Sequence, residues 1–76
     1  MSPSLPALRP RKVLQALQRA GFDAARTSGS HIILKHPEKP ELRVTLAMHN
    51  RDLKRRTLDS VIEQAGMTPD EFARLL

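Results

Sequence analysis

A double change of hydrophobic period constrains this chain more than any other feature. Val13, Leu14, Leu17 and Ala20 recur at the spacing that lines one helix face, with Pro10 suited to the first helical position and Gly21 to the end. Phe22, directly after that glycine, is placed to pack back over the capped helix end. The pattern then becomes short and β-prone over residues 22–27, 30–36 and 42–46, divided by Ser28-Gly29 and by Pro37-Glu38-Lys39-Pro40. Helical spacing returns with Leu58, Val61, Ile62 and Ala65, with Thr57 expected as N-cap and Gly66 closing the element. Thr68-Pro69-Asp70-Glu71 has the form of a capping box, stapled by Met67 and Phe72, and predicts a last short helix over residues 69–75.

The expected order is therefore α-β-β-β-α-α. In the third strand Leu42, Val44 and Leu46 alternate with Arg43 and Thr45, which predicts an antiparallel meander with one face on the core and the other in water. A helix, a three-stranded antiparallel sheet and a second helix, with the helices on one sheet face, is an α+β arrangement shared by double-stranded-RNA-binding domains. The short third helix is an addition to it. At 76 residues the chain makes one domain with a thin core, and the absence of cysteine excludes both a disulfide scaffold and a thiolate metal site. Residues 10–76 are expected to form that domain. Residues 1–9, broken by Pro3 and Pro6 and without a clear period, are read as a flexible leader. No stretch reads as a signal peptide or a membrane span, which points to the cytoplasm and away from a membrane partner.

The net charge of +5 is unevenly placed. Residues 1–56 hold twelve Lys or Arg against four acids, and residues 57–76 hold one Arg against four acids. A basic body with an acidic end suits a polyanion held by the first part, although solvated surface charge gives the same count. Lys12, Arg26, Lys35 and Arg43 are candidate contacts to an RNA backbone, provided that the first helix and the open sheet face form one surface. Lys54, Arg55 and Arg56 precede the second helix, either as a grip on phosphate or as an ordinary basic helix entrance. Tyr and Trp are absent, and Phe22 and Phe72 read as core or capping residues, so no aromatic platform for stacked bases is evident.

The stretch Ser28-Gly29-Ser30-His31 sets a turn glycine and a hydroxyl before a histidine at a strand start. Imidazole titrates near neutral pH and can exchange protons with a reacting group. If Ile32 and Leu34 face the core, strand parity puts His31, Ile33 and Lys35 on the open face, whereas a bulge near Gly29 would reverse the register. By these residues alone His31 is a surface histidine or a proton carrier. His36, before Pro37, reads as a strand-end surface side chain. His49, in the basic loop after the third strand, is either a second proton carrier or a plain exposed side chain. Spacings of five and thirteen residues between the histidines match no common metal-ligand motif, so no metal or other cofactor is expected.

From about Arg11 to Leu76 the chain resembles the HicA toxins of bacterial toxin–antitoxin pairs. The resemblance rests on Leu17-Gln18-Arg19-Ala20-Gly21-Phe22, on the run from Gly29 through His31 to Pro37, on Arg43-Val44-Thr45, and on the run from Thr57 to Met67. It implies a double-stranded-RNA-binding-type fold, cleavage of messenger RNA, and inhibition by a HicB antitoxin. It also implies that His31, in Gly29-Ser30-His31, is the catalytic histidine, with Gly29 and Ser30 beside the substrate. Two departures from the family pattern are Ile32, where many relatives have a polar or aromatic residue, and the lack of a proline near Ala47 or Met48.

The expected chemistry is metal-independent: His31 takes the proton of an RNA 2′-hydroxyl, which attacks the adjacent phosphorus, while Lys35 or Arg43 steadies the charge. Water as the nucleophile is the nearest variant. A non-catalytic RNA-binding module is the alternative function. A DNA-reading helix-turn-helix over residues 58–76 is disfavoured, because its recognition helix would open with Asp70 and Glu71.

Overall fold

The computed structural model describes residues 5–76. Its elements are α1 (Pro10–Arg19), β1 (Asp23–Ser28), β2 (His31–His36), β3 (Lys39–Ala47), α2 (Arg55–Gln64) and α3 (Pro69–Ala73). The strands form one antiparallel sheet in the order β1-β2-β3. No helix among the described residues is long and apolar enough to cross a membrane.

Alternation decides which face of the sheet is covered. Leu34 of β2 pairs with Val44 of β3, Ile32 pairs with Leu46, and their side chains share one face. Leu34, Val44 and Leu46 are fully buried against Val13, Ala16 and Leu17 of α1 and Leu58, Val61 and Ile62 of α2, with Ile32 half-buried beside them. Both long helices pack chiefly on β3. Every residue of β1 is exposed, so that strand extends past the helical cover. A bulge between Ala24 and Arg26 lies in β1, away from Gly29, and the parity expected for β2 is preserved.

Three boundaries differ from the sequence expectation. Residues 5–9 form no helix or strand, yet Leu5 and Leu8 are buried in the core, and Leu8 O accepts the Leu53 N–H at 2.7 Å. The expected loose leader is thus fixed from Leu5 onward, because prolines that forbid regular structure still let the leucines beside them dock; residues 1–4 lie outside the described part. β3 begins at Lys39 instead of Leu42, leaving Pro37-Glu38 as the turn, and it accommodates Pro40 because an edge strand can do without one N–H. On the exposed side of that edge Gln64 Oε1 accepts the Thr45 N–H at 2.9 Å. α2 starts at Arg55, with Lys54 as N-cap and no side-chain cap, so Thr57 lies inside the first turn. Arg55 and Arg56 are good helix formers and extend the helix past the polar residue that resembled its start.

The end of α1 is fastened to the end of β2. Gly21, at φ +99°, donates to Gln18 O and Phe22 donates to Leu17 O, each at 3.0 Å, a Schellman closure that needs the left-handed conformation. His36 lies over this closure and is buried, not on the surface as its position before Pro37 suggested. Its Nδ1 accepts the Glu38 N–H at 3.1 Å, which leaves the ring proton on Nε2 to be donated to Ala20 O at 3.0 Å. The ring also meets Phe22 edge to face, with centroids 5.1 Å apart. A Cβ on Gly21 would lie 2.7 Å from His36 Nε2. Gly21→Ala should therefore cost at least about 1 kcal/mol in urea denaturation, and the double variant with His36→Ala should be less damaged than the two single losses summed.

α3 is held by the expected capping box: Glu71 N donates to Thr68 Oγ1 at 3.2 Å and Thr68 N donates to Glu71 Oε1 at 2.8 Å. The backbone hydrogen bond from Thr68, with its side-chain bond second, holds the Glu71 carboxyl below its ordinary value. A depressed carboxylate stabilises the fold above its unfolded titration, and that stabilisation is lost as pH falls through the folded value. Melting temperature should fall on acidification through the carboxylate range, and less steeply in Glu71→Gln, which keeps the acceptor oxygen without the charge. Equal slopes in the two proteins would remove the box from the pH dependence.

Candidate active site on the open sheet face

The uncovered face is built from three rows that cross the sheet, each made by residues paired across the strands. Asp23, Lys35 and Arg43 form the first, Arg26, Ile33 and Thr45 the second, and Ser28, His31 and Ala47 the third. Lys35 and Arg43 stand directly opposite each other, an arrangement of like charges that favours a shared anion. Lys35 Nζ also donates to Pro40 O at 3.0 Å, which fixes the ammonium near the strand end.

The turn before β2 sets His31 at the start of its row. Ser28 and His31 are paired, so Gly29 and Ser30 form a two-residue connection, and Gly29 at φ +60° supplies the left-handed first position of a type II′ turn. Nothing lies within 4 Å of a Cβ built on Gly29, so its constraint is conformational and not steric. Ser30 contributes its carbonyl, which accepts the Met48 N–H at 2.6 Å and extends the ladder one step past His31. His31 itself is exposed, and its lateral neighbours Ser28 and Ala47 carry small side chains that leave the imidazole approachable from above the sheet.

Of the other basic candidates, Arg26, Lys35 and Arg43 share this face with His31. Lys12 does not join them. α1 packs on the opposite side of the sheet, and Lys12 lines a separate depression with Arg9 and Arg19, so the first helix and the open face are two surfaces. Arg55 Nη2 donates to Leu5 O at 2.8 Å and fastens the N-terminal segment to α2. Arg56 is exposed in the first turn of α2. Lys54 lines a depression of about 620 Å³ together with Ala47, His49 and Arg51. Thr45 stands on the open face as its alternation with Val44 and Leu46 predicts, and Ser28 joins it there, a position that parity counted back through the two-residue turn identifies. Among the described residues no group of three His, Cys, Asp or Glu gathers in a form that could hold a metal ion.

The model of the family described as the HicA toxin of bacterial toxin-antitoxin systems matches residues 10–67. This chain belongs to the HicA toxin family. The matched span holds α1, the whole sheet and α2, hence all three histidines, and it ends just before the α3 capping box. No curated protein matches the chain. HicA membership makes the chain the toxin of a toxin–antitoxin pair, for which an antitoxin partner is implied.

The three histidines should differ in reactivity. With diethyl pyrocarbonate, exposed His31 should be modified first in the folded protein, exposed His49 more slowly because its Nδ1 lone pair accepts the Arg51 N–H, and buried His36, with both ring nitrogens engaged, only on unfolding. Peptide mass mapping before and after denaturation reads this, and early labelling of His36 would contradict its bonded, buried state.

Proposed function

We propose that this HicA chain is a metal-independent endoribonuclease that cuts messenger RNA with His31 as its single catalytic histidine. The observation that carries the reading is the third row of the open face: an exposed imidazole between two small side chains, on a surface that also holds Arg26, Lys35 and Arg43. Family membership supplies the toxin class, and the charge distribution supports the substrate class. Four of the acids, Asp59, Glu63, Asp70 and Glu71, are on α2 and α3, in the helical layer. Arg11, Lys12, Arg19, Arg55 and Arg56 offset those acids within the helices, while the rows of the open face hold Arg26, Lys35 and Arg43 against Asp23, a local excess of cations that draws a polyanion.

In the proposed reaction the neutral His31 ring accepts the proton of an RNA 2′-hydroxyl. The 2′-oxygen forms a bond to the adjacent phosphorus, the bond from phosphorus to the 5′-oxygen breaks, and that oxygen leaves with a proton from water. The products are a 2′,3′-cyclic phosphate and a 5′-hydroxyl. The open-face cation in the row next to His31 is Arg26, which offsets the charge that builds on the phosphoryl oxygens. Lys35 and Arg43, expected from the sequence to do this, stand two rows away, about 13 Å along the strand, and hold a neighbouring phosphate of the RNA chain instead. Gly29 and Ser30 hold the imidazole at the strand start. Recognition rests on phosphate and 2′-hydroxyl groups, since the rows of this face carry no Phe, Tyr or Trp. The antitoxin is of the HicB type and acts in the bacterial cytoplasm by covering this face, for which an acidic surface is suited.

The test is cleavage of an end-labelled RNA in chelator by the unmodified chain and by His31→Ala. The variant should lose about 10² to 10⁴ in rate, the usual worth of positioned proton transfer, while still binding RNA. A substrate with 2′-deoxyribose at the scissile position should resist cleavage. Cutting of that substrate, or loss of activity in chelator, would overturn the mechanism, and binding without cleavage by either protein would favour a non-catalytic RNA-binding module.

A further inference from the structure

The loop after β3 brings a second histidine to the end of the sheet that carries His31. His31 is paired with Ala47, and the Met48 N–H to Ser30 O bond carries the chain one step beyond that pair before His49 follows. His49 is exposed, and its Nδ1 accepts the Arg51 N–H at 3.1 Å. A ring nitrogen that accepts a hydrogen bond holds a lone pair there, so the proton of the neutral ring is on Nε2. The loop thereby presents an N–H donor at this end of the sheet.

The surroundings indicate what such a donor would meet. His49 lines the depression of about 620 Å³ with Ala47, Arg51, Asp52, Lys54 and Thr57, where two cationic side chains outnumber one acid. Neutral N–H groups among cations suit phosphate oxygens, which accept several hydrogen bonds at once. Use of His49 as a base would first require loss of the Arg51 bond or a change of tautomer. We propose that His49, as the Nε2–H tautomer, donates a hydrogen bond to a phosphate oxygen of the RNA strand in this depression, holding the strand that His31 cleaves and taking no part in the proton transfer. The assignment rests on the ribonuclease reading, and it makes the depression a phosphate subsite adjoining the catalytic row.

The test compares His49→Ala, His49→Gln and Lys54→Ala. Cleavage is measured with His31 present, and binding of the same RNA is measured against salt in the His31→Ala background. His49→Ala should lower kcat/KM roughly ten- to hundredfold, the range for one hydrogen bond to a charged group. His49→Gln, whose Nε2 offers a donor at similar reach, should restore most of that loss. The salt slope of binding should be unchanged by His49→Ala, because a neutral donor releases no counterion, and should fall by about 0.7 in Lys54→Ala on single-stranded RNA. A Gln variant as impaired as the Ala variant, or a shallower slope in His49→Ala, would show a cationic or proton-carrying ring and overturn the assignment. An unimpaired His49→Ala in a chain that cleaves RNA overturns this assignment alone, whereas an unmodified chain that neither binds nor cuts RNA overturns the ribonuclease reading with it.

Discussion

Leu34, Val44 and Leu46 press one face of the sheet onto Val13, Leu17, Leu58 and Ile62, and a chain of this size has no second apolar layer for the other face. The rest of the molecule depends on that one-sided burial. Because strand side chains alternate, covering Leu34 commits Ile33 and Lys35 to the open side, and covering Val44 does the same for Arg43 and Thr45. A one-residue slip between β2 and β3 would bury charge and expose the core, so the packing that stabilises the fold also fixes where His31 points.

Several small closures hold this thin layer in register. The Schellman turn at Gly21 ends α1, and His36 joins it to the last residue of β2 through Ala20 O and through its contact with Phe22. Gln64 reaches from α2 to the backbone of the β3 edge, and Arg55 holds the segment around Leu5. Each contact ties a helix or terminal segment to an element distant in sequence, which compensates for the limited core. The three histidines consequently do different work: His36 serves the fold, while His31 and His49 stand at the exposed end of the sheet.

Shape sets the kind of chemistry available. An open sheet face cannot enclose a small molecule, but it can meet a polymer along its length, and the cationic rows beside that of His31 draw Arg26 from β1, Lys35 from β2 and Arg43 from β3. This agrees with the placement of the chain among HicA toxins and with a cognate antitoxin as its partner. Such a surface is regulated more readily by being covered than by closing a lid.

The sequence by itself determined the element order, the open-face parity of β2 and β3, the α3 capping box and the prominence of Gly29-Ser30-His31, because these depend on period, turn chemistry and neighbours in the chain. The start of α2 was less legible: Thr57 looks like a cap, but Arg55 and Arg56 are good helix formers and Arg55 is held by Leu5 O, so the helix runs back to Arg55. Tertiary structure alone decided the docking of Leu5 and Leu8, the burial of His36, the separation of Lys12 from the open face and the meeting of the His49 loop with the His31 end of the sheet. Each of those turns on which side of a single sheet an element packs, and that choice is made by apolar burial between residues far apart in the chain, where local spacing carries no information.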